Sequence, residues 1–168
     1  MSTPEKNIAR SCPDNAEITT FLYREADLLD QTNLKDWINL FAEDGTYWMP
    51  VAVGQEDPLS HISIFYDDKA MMTIRRHNLD HARAPSKEIE VRSSHIIGNV
   101  RLVDFDAESG NCTVKSNVQA VVDYGNQILF AGSYTHKLVW TGEKYLIQQK
   151  RVDLINCDAS HGSIINYI

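Results

Sequence analysis

The sequence predicts an α+β fold, in which three N-terminal helices pack on one face of a curved antiparallel sheet. Apolar residues recur at helical spacing as far as about residue 79, and from Ile89 onwards the period changes to two. Helices segregated ahead of a meander of strands are typical of this class. The 168 residues are 43% hydrophobic and 23% charged, which is ordinary globular usage. We therefore expect one domain over 1–168, with a flexible N-terminal segment over 1–13.

Two helices are predicted in the first quarter of the chain. Asp14 followed by Glu17 resembles a capping box ahead of the first helix. Asn33 is the expected cap of the second helix, and Gly45 is the expected left-handed residue that ends it. The apolar stripes at helical spacing comprise Ile18, Phe21, Leu22, Ala26 and Leu29 in the first helix and Leu34, Trp37, Ile38 and Phe41 in the second.

A short strand and a third helix are predicted next. Residues 46–53 are β-branched and aromatic, and Pro50 places this strand at a sheet edge or on a bulge. Residues 64–79 have helical spacing of apolar residues. Charged residues interrupt the stripe, so this helical face is expected to meet polar groups; the interrupting residues are Asp67, Asp68, Arg75 and Arg76.

The second half of the chain predicts four long antiparallel strands. Alternate residues from Val114 to Tyr124 and from Ile128 to Trp140 are mostly apolar, and Gly125-Asn126 between them is a hairpin signal. In the first of the four strands the apolar face changes parity, which predicts a β-bulge near 93–95.

Composition excludes several classes of partner and compartment. The formal net charge is −7, and no run of Lys or Arg exceeds two residues, so nucleic acid is not an expected partner. No apolar run approaches the length of a membrane span, and the N-terminus lacks a signal-peptide core. The three cysteines are widely spaced, which is typical of free thiols in a reducing cytoplasm. The predicted location is cytoplasmic.

The sequence does not predict a metal, cofactor or covalent catalytic site in this chain. His77 and His81, with Asp80 or Asp68, have a spacing that could bind a metal, but their charged surroundings favour a solvated helix end. A Rieske cluster needs paired Cys and His ligands, and Cys12, Cys112 and Cys157 lack them; His161 follows Cys157 at the wrong spacing. Phosphate-binding glycine loops and nucleophile elbows are absent.

An acid–base pair is the one catalytic alternative that the residues leave open. His136 lies on the apolar face of a predicted central strand, beside Tyr134. Asp27, Asp30 and Asp68 lie on predicted helices that could face the same side of the sheet. A buried His–Asp or Tyr–Asp pair would suit a small isomerase or dehydratase. A structural buried histidine is the favoured interpretation.

Charged and aromatic residues outside this pocket suggest a subunit interface. The last strand carries Lys150, Arg151 and Asp153, which depart from clean alternation. Arginine and tryptophan are enriched at interfaces. The predicted interface residues are Trp48, Arg75, Arg76, Arg151 and Asp153.

Several motifs in order along the chain resemble the β subunit of bacterial aromatic-ring-hydroxylating dioxygenases. They are FLYREADLLD from residue 21, W-x-x-L-F-x-x-D-G-x-Y-W-M-P-V over 37–51, SIFYDD over 63–68, A-P-S over 84–86 and IGNVRL over 97–102. The tail, YTHKLVW from 134 and KRVDLINCDA from 150, is especially similar to the benzoate-type branch. The resemblance spans nearly the whole chain.

This resemblance implies a fold, partners and a division of labour. The fold would be an α+β cone of the nuclear transport factor 2-like or cystatin-like type. The chain would be a small, non-catalytic subunit that self-associates as a trimer and supports a dioxygenase α subunit, commonly as α3β3. That α subunit would carry a Rieske [2Fe-2S] cluster and mononuclear iron, receive electrons from NAD(P)H through a separate reductase, and dihydroxylate an aromatic substrate. The alternative is a stand-alone isomerase or dehydratase on the same cone, using His136 and an acidic residue.

Overall fold

The structure, a computed structural model, describes residues 10–82, 90–162 and 164–168, without the side chains of His81 and Ala82. Most of the predicted flexible segment, the A-P-S motif at 84–86 and Ile89 lie outside these residues. The described elements are three helices and six strands, which follow one another as α1, α2, β1, β2, α3 and β3 to β6.

The three helices begin at side-chain caps. Helix α1 spans Asn15–Asp30, and the Asp14 carboxylate accepts the backbone N–H of Glu17 at 2.8 Å. Helix α2 spans Leu34–Ile38, and Asn33 accepts the N–H of Asp36 at 3.2 Å. Helix α3 spans Lys69–Ala82, with Asp68 accepting an N–H in its first turn. These caps satisfy donors that have no partner within the helix, and the first two confirm the sequence prediction.

The six strands form one sheet in the order β2-β1-β6-β5-β4-β3. Their bounds are β1 Phe41–Pro50, β2 Ser63–Asp68, β3 Arg92–Phe105, β4 Cys112–Asp123, β5 Gln127–Trp140 and β6 Tyr145–Leu154. Strands β1 and β6 pair parallel, whereas the other neighbours pair antiparallel. The α+β class and the four long antiparallel strands are confirmed, but the sheet is mixed rather than purely antiparallel.

The second helix is shorter than predicted, because the chain enters β1 at Phe41. Gly45 therefore does not end a helix; it lies inside β1. A β-carbon there would approach the Ile147 carbonyl oxygen to 2.6 Å, so glycine allows β6 to lie close alongside. Pro50 sits where the β1–β2 register shifts, which confirms a bulge, although β1 lies between two neighbours and is not an edge strand.

The predicted third helix is wrong over its first five residues, which belong to β2. In that strand Phe65 and Asp67 are buried while Tyr66 and Asp68 are exposed, so the true period there is two. The apolar Ile64-Phe65 pair is compatible with both the helical and the strand periodicity, because the apolar run is so short. Helix α3 starts only at Lys69.

The β3 bulge lies further along the strand than predicted. Pairing with β4 is continuous from Arg92 to Gly98 and shifts between Gly98 and Arg101 and again after Leu102. Asn99, with φ 52°, takes the left-handed conformation that suits asparagine. Ile96, which precedes the bulge, is 67% exposed and does not lie on the buried face of β3.

The core lies between α1, α2 and the inner face of the sheet. It contains Ile18, Leu22 and Leu29 of α1, Trp37 of α2, and alternate residues of β4, β5 and β6. No helix among the described residues combines the length and the apolar character needed to cross a bilayer. The helical layer therefore covers one face of the sheet, and the polar groups buried beneath it define the candidate site.

Candidate functional site

A buried polar cluster lies between α1 and the inner face of the sheet. Glu25 stands in the buried stripe of α1, and its carboxylate is 2.8 Å from His136 Nε2 and 2.9 Å from Lys150 Nζ. Trp37 Nε1 also donates to it at 3.2 Å. His136 on β5 and Lys150 on β6 are register partners, so neighbouring strands present both side chains to the same helix.

Attraction to its basic neighbours keeps the Glu25 carboxyl ionised despite its burial. Burial raises the pKa of the Glu25 carboxyl, but Lys150 and His136 outweigh burial and hold that pKa well below its ordinary value. Burial lowers the pKa of Lys150, and Glu25 opposes that shift. Glu25 is therefore a carboxylate throughout the neutral range, and it compensates the buried cation.

The arrangement contains the groups of an acid–base site. The Tyr134 and His136 rings meet edge to face at 5.5 Å between centroids. Tyr134 OH and His136 Nδ1 are buried without a hydrogen-bond partner among the described residues. Burial raises the pKa of Tyr134 well above its usual value, so its hydroxyl stays protonated at neutral pH and can donate a hydrogen bond. His136 is 0% exposed, so a substrate reaches it only if the covering residues move.

The segment Ile164–Ile168 covers the aromatic layer next to the cluster. The Tyr167 ring stacks on Trp37 at 4.6 Å and meets Tyr47 edge to face at 4.8 Å. The Tyr167 hydroxyl donates to Asp67 at 2.9 Å, and Tyr47 OH donates to the Ile168 carbonyl at 3.2 Å. The segment therefore packs on the aromatic layer, and its Asn166, Tyr167 and Ile168 are themselves buried.

A second acid–histidine pair lies at the other end of α1. Asp30 accepts hydrogen bonds from Ser93 Oγ at 3.1 Å and the His95 backbone N–H at 2.9 Å, and it lies 2.6 Å from His95 Nδ1. Burial lowers the pKa of His95, which Asp30 partly opposes. This pair ties α1 to β3, and the inward parity of His95 was the signal that could have revealed it.

The structure separates the predicted pocket residues. Tyr134 and His136 are buried side by side, whereas Asp27 is exposed on α1 and Asp68 is the exposed cap of α3. The carboxylate that meets His136 is Glu25, which sequence reasoning missed. Its position three residues after Leu22 and four before Leu29, inside an apolar helical stripe, was the available signal.

The predicted interface residues fall on two different faces. Trp48, Arg151 and Asp153 lie on the outer face of the sheet: the Arg151 guanidinium stacks 4.4 Å from the Trp48 ring centroid and binds Asp153 at 2.7 and 2.8 Å. Arg75 instead pairs with Asp67 across the inner edge. Arg76 approaches Asp80 one helical turn away, at 4.0 Å.

No group of three or more His, Cys, Asp and Glu side chains within 10–82, 90–162 and 164–168 is arranged to hold a metal. His77 is exposed and contacts Arg76, and the His81 side chain is outside the described part. Cys112 and Cys157 are buried free thiols, and Cys12 is an exposed one. The donor set in the described residues therefore does not fit a Rieske cluster or a mononuclear iron.

Comparison with known proteins identifies the family. Residues 24–160 match the family model described as "Ring hydroxylating beta subunit". The chain belongs to this family. It is 32% identical over 145 residues to the toluate 1,2-dioxygenase subunit beta of Pseudomonas putida, a match that covers 83% of this chain and 88% of that one. The family resemblance predicted from the motifs is confirmed.

Solved structures of ring-hydroxylating beta subunits share the fold. The beta subunit of benzoate 1,2-dioxygenase from Burkholderia mallei superposes with a TM-score of 0.75 at 25% identity, covering 94% of this chain and all of that one. A candidate scytalone dehydratase from Novosphingobium aromaticivorans superposes with a TM-score of 0.62 at 16% identity, covering 83% and 82%. The second likeness concerns the fold alone and confirms the predicted cone type.

Proposed function

We propose that this ring-hydroxylating beta subunit is the non-catalytic small subunit of an aromatic-ring-hydroxylating dioxygenase. It supports the assembly of an α subunit that dihydroxylates an aromatic substrate, with an aromatic carboxylate as the favoured class. Membership of the family and the likeness to the toluate and benzoate dioxygenase beta subunits support this assignment.

The observation that carries the non-catalytic role is the closure of the inner cluster. Glu25, His136 and Lys150 are all buried, and Glu25 already binds both basic groups. Tyr167 and Trp37 stack over the adjoining aromatic layer. An acid–base catalyst must reach a substrate proton within hydrogen-bond distance, and this one is engaged within the protein. The cluster joins α1 to two strands and acts as a structural element.

The partner supplies the redox chemistry in this proposal. The α subunit carries a Rieske [2Fe-2S] cluster and mononuclear iron, and NAD(P)H delivers electrons through a separate reductase. The assembly is α3β3, and the β chains form a trimer within it. The outer-face residues Trp48, Arg151 and Asp153 are the proposed interface, because they combine aromatic and guanidinium groups that are enriched in such contacts. Arg75 and Arg76 are secondary candidates at the other face.

A stand-alone isomerase or dehydratase is the second candidate function. The Glu25–His136 pair and the Tyr134 hydroxyl, which has no hydrogen-bond partner in the described part of the chain, favour it chemically, since such groups are used in proton transfer. It requires that the residues packed around His136 move so that a substrate can reach it. Because His136 is 0% exposed and already bound to Glu25, the scaffold assignment is preferred.

Co-expression with a candidate α subunit, sought in the reading frame beside the gene of this chain, tests the assignment. The neighbouring reading frame should carry paired C-x-H and C-x-x-H motifs, which supply Rieske ligands. We expect the two chains to co-purify at a one-to-one ratio with a mass near that of a hexamer by light scattering, and oxygen uptake to require both. A β chain that remains separate and leaves the activity of its α partner unchanged would contradict the proposal.

A further inference from the structure

A cavity of about 260 Å³ lies beside the Ile164–Ile168 segment, away from the buried Glu25 cluster. Its walls include the apolar side chains of Leu34, Phe65, Leu79 and Ile164, and the polar side chains of Arg75 and Asn166. Ligand pockets are largely apolar with a few placed polar groups. The volume suits a ligand with a single ring.

The side chain of Asn166 supplies a buried donor on the wall of this cavity. Its side-chain oxygen accepts the Tyr167 backbone N–H at 3.0 Å, but its Nδ2 has no hydrogen-bond partner among the described residues. The residue is 4% exposed. A buried amide without a partner costs free energy, so an acceptor in the cavity would satisfy it.

Arg75 provides a second donor on the same cavity. Its Nε and one terminal nitrogen bind Asp67 at 2.5 and 3.3 Å, and the other terminal nitrogen has no hydrogen-bond partner among the described residues. The guanidinium also stacks 4.4 Å from the Phe65 ring centroid and is 40% exposed. Stacking and the Asp67 contact fix its plane, so it is positioned for a carboxylate in the way that favours arginine.

We propose that this cavity binds a monocyclic aryl carboxylate, with its ring against Phe65, Leu79 and Ile164 and its carboxylate between Asn166 and Arg75. The proposal concerns a site within this chain and does not depend on the assignment as an oxygenase subunit. A site on the small subunit would let an aromatic acid stabilise the chain by binding its folded state and not its unfolded state.

Titration of the full chain with benzoate tests the site, by calorimetry and by nuclear Overhauser contacts between the benzoate ring protons and the Leu79 and Ile164 methyl groups. We expect saturable one-to-one binding, those contacts, and at least tenfold weaker binding of benzyl alcohol, which lacks the charge. The proposal would be overturned if binding does not saturate when benzoate is in 10-fold molar excess over the chain, at benzoate concentrations up to about 10 mM. It would also be overturned if the benzoate ring shows nuclear Overhauser contacts to other residues only.

Two variants sharpen the test, each with a matched control. Asn166→Asp keeps the acceptor for the Tyr167 N–H but replaces the free donor with a negative charge, so benzoate binding should fall at least about tenfold. Asn156→Asp makes the same charge change on an exposed side chain and should leave binding unchanged. Leu79→Trp should fill the cavity and abolish binding, whereas Ile155→Trp, at a 78% exposed position, should not. Unchanged binding in both cavity variants would refute the site, and the wild-type contacts decide the question if either fails to fold.

Discussion

Lys150 and Arg151 are neighbours in β6, yet the sheet gives them opposite environments. Lys150 points inward, is 0% exposed and binds Glu25 at 2.9 Å. Arg151 points outward, stacks on Trp48 and binds Asp153 at a partly exposed site. Strand side chains alternate between the two faces of a sheet, so these adjacent cationic side chains lie on opposite faces and make different contacts. The inner ion pair holds the helical layer to the sheet, whereas the outer one presents a surface.

The difference is one of energetic consequence as well as location. A buried charge that loses its partner is strongly destabilising, because its desolvation is no longer compensated. A surface ion pair is screened by water and is worth little to stability. Replacing the inner cation, Lys150, should therefore lower mainly the stability of the chain, whereas replacing the outer cation, Arg151, should weaken mainly its assembly.

Replacing Lys150 should have the largest effect. Lys150→Met leaves the Glu25 carboxylate buried without its cation, and we expect a loss of about 3–5 kcal/mol in the free energy of unfolding. Urea denaturation measures it. The matched control is Lys137→Met, at an exposed position of β5, which should change stability by less than about 0.5 kcal/mol.

A double variant separates the ion pair from simple packing loss. Glu25→Gln combined with Lys150→Met removes both charges, so it should be less destabilised than Lys150→Met alone. If the double variant is as unstable as the sum of the two single variants, the contacts of Glu25 and Lys150 contribute independently and the inner pair is not the linking element.

His136→Gln should have a smaller effect on stability and none on chemistry. We expect a loss of about 1–3 kcal/mol, because the Glu25 carboxylate loses a hydrogen-bonding partner. Turnover of the complex with the α subunit, normalised to the amount assembled, should stay near wild type. Size exclusion and oxygen uptake measure the two quantities. A variant that assembles normally and loses a hundredfold or more in turnover would contradict the non-catalytic role of this chain.

Acid should weaken the inner face in two steps. The folded pKa of His95 is lowered, so the unfolded chain binds more protons, and stability falls as pH drops through the ordinary histidine value of about 6.5. The folded pKa of Glu25 is also lowered, so its contribution is present above the ordinary glutamate value of about 4.3 and is lost as pH falls further.

Urea midpoints between pH 8 and pH 3.5 measure this dependence. His95→Gln should flatten the first step, whereas His61→Gln, at an exposed position, should leave it unchanged. A wild-type profile that is flat from pH 7 to pH 5 would contradict the role of His95, and one that stays flat below pH 4 would contradict the role of Glu25.

Sequence patterns predicted the parts of the fold in which local and tertiary preferences agree. The alternation in β4 and β5 coincides with burial on one face, and the caps of α1 and α2 are local. The prediction failed at β2, where it gave a helix. Two apolar residues fit either a helical or a strand period, and only the pairing with β1 decides between them. The prediction that Gly45 ends a helix failed for a similar reason. Glycine is needed there because β6, more than a hundred residues away in sequence, approaches closely.

The candidate site was only half predictable. His136 and Tyr134 followed from strand parity, but their carboxylate did not, because pairing a helix residue with a strand needs the helix rotation about its axis. Asp27 and Asp68 were candidates because they lie on predicted helices that could face the same side of the sheet, whereas Glu25 occupies the buried stripe. The predicted interface residues fall on two faces for the same reason. Arg75 belongs to α3, and its partner Asp67 faces inward, away from Trp48 and Arg151.

Arg151→Ala should have the smallest effect on stability and the clearest effect on assembly. The Arg151–Asp153 pair is partly exposed, so its loss should cost less than about 1 kcal/mol in the free energy of unfolding. The same change uncovers Trp48 and removes the guanidinium from the proposed interface, where truncation of a central arginine commonly costs about 2 kcal/mol or more of binding.

Lys144→Ala, which removes the same charge from the turn before β6, is the matched control. Light scattering across a dilution series should show the Arg151 variant dissociating at higher concentration than wild type and the Lys144 variant dissociating as wild type does. If Arg151→Ala leaves the mass of the assembly unchanged across that series, the outer face of β1 and β6 is not the contact surface.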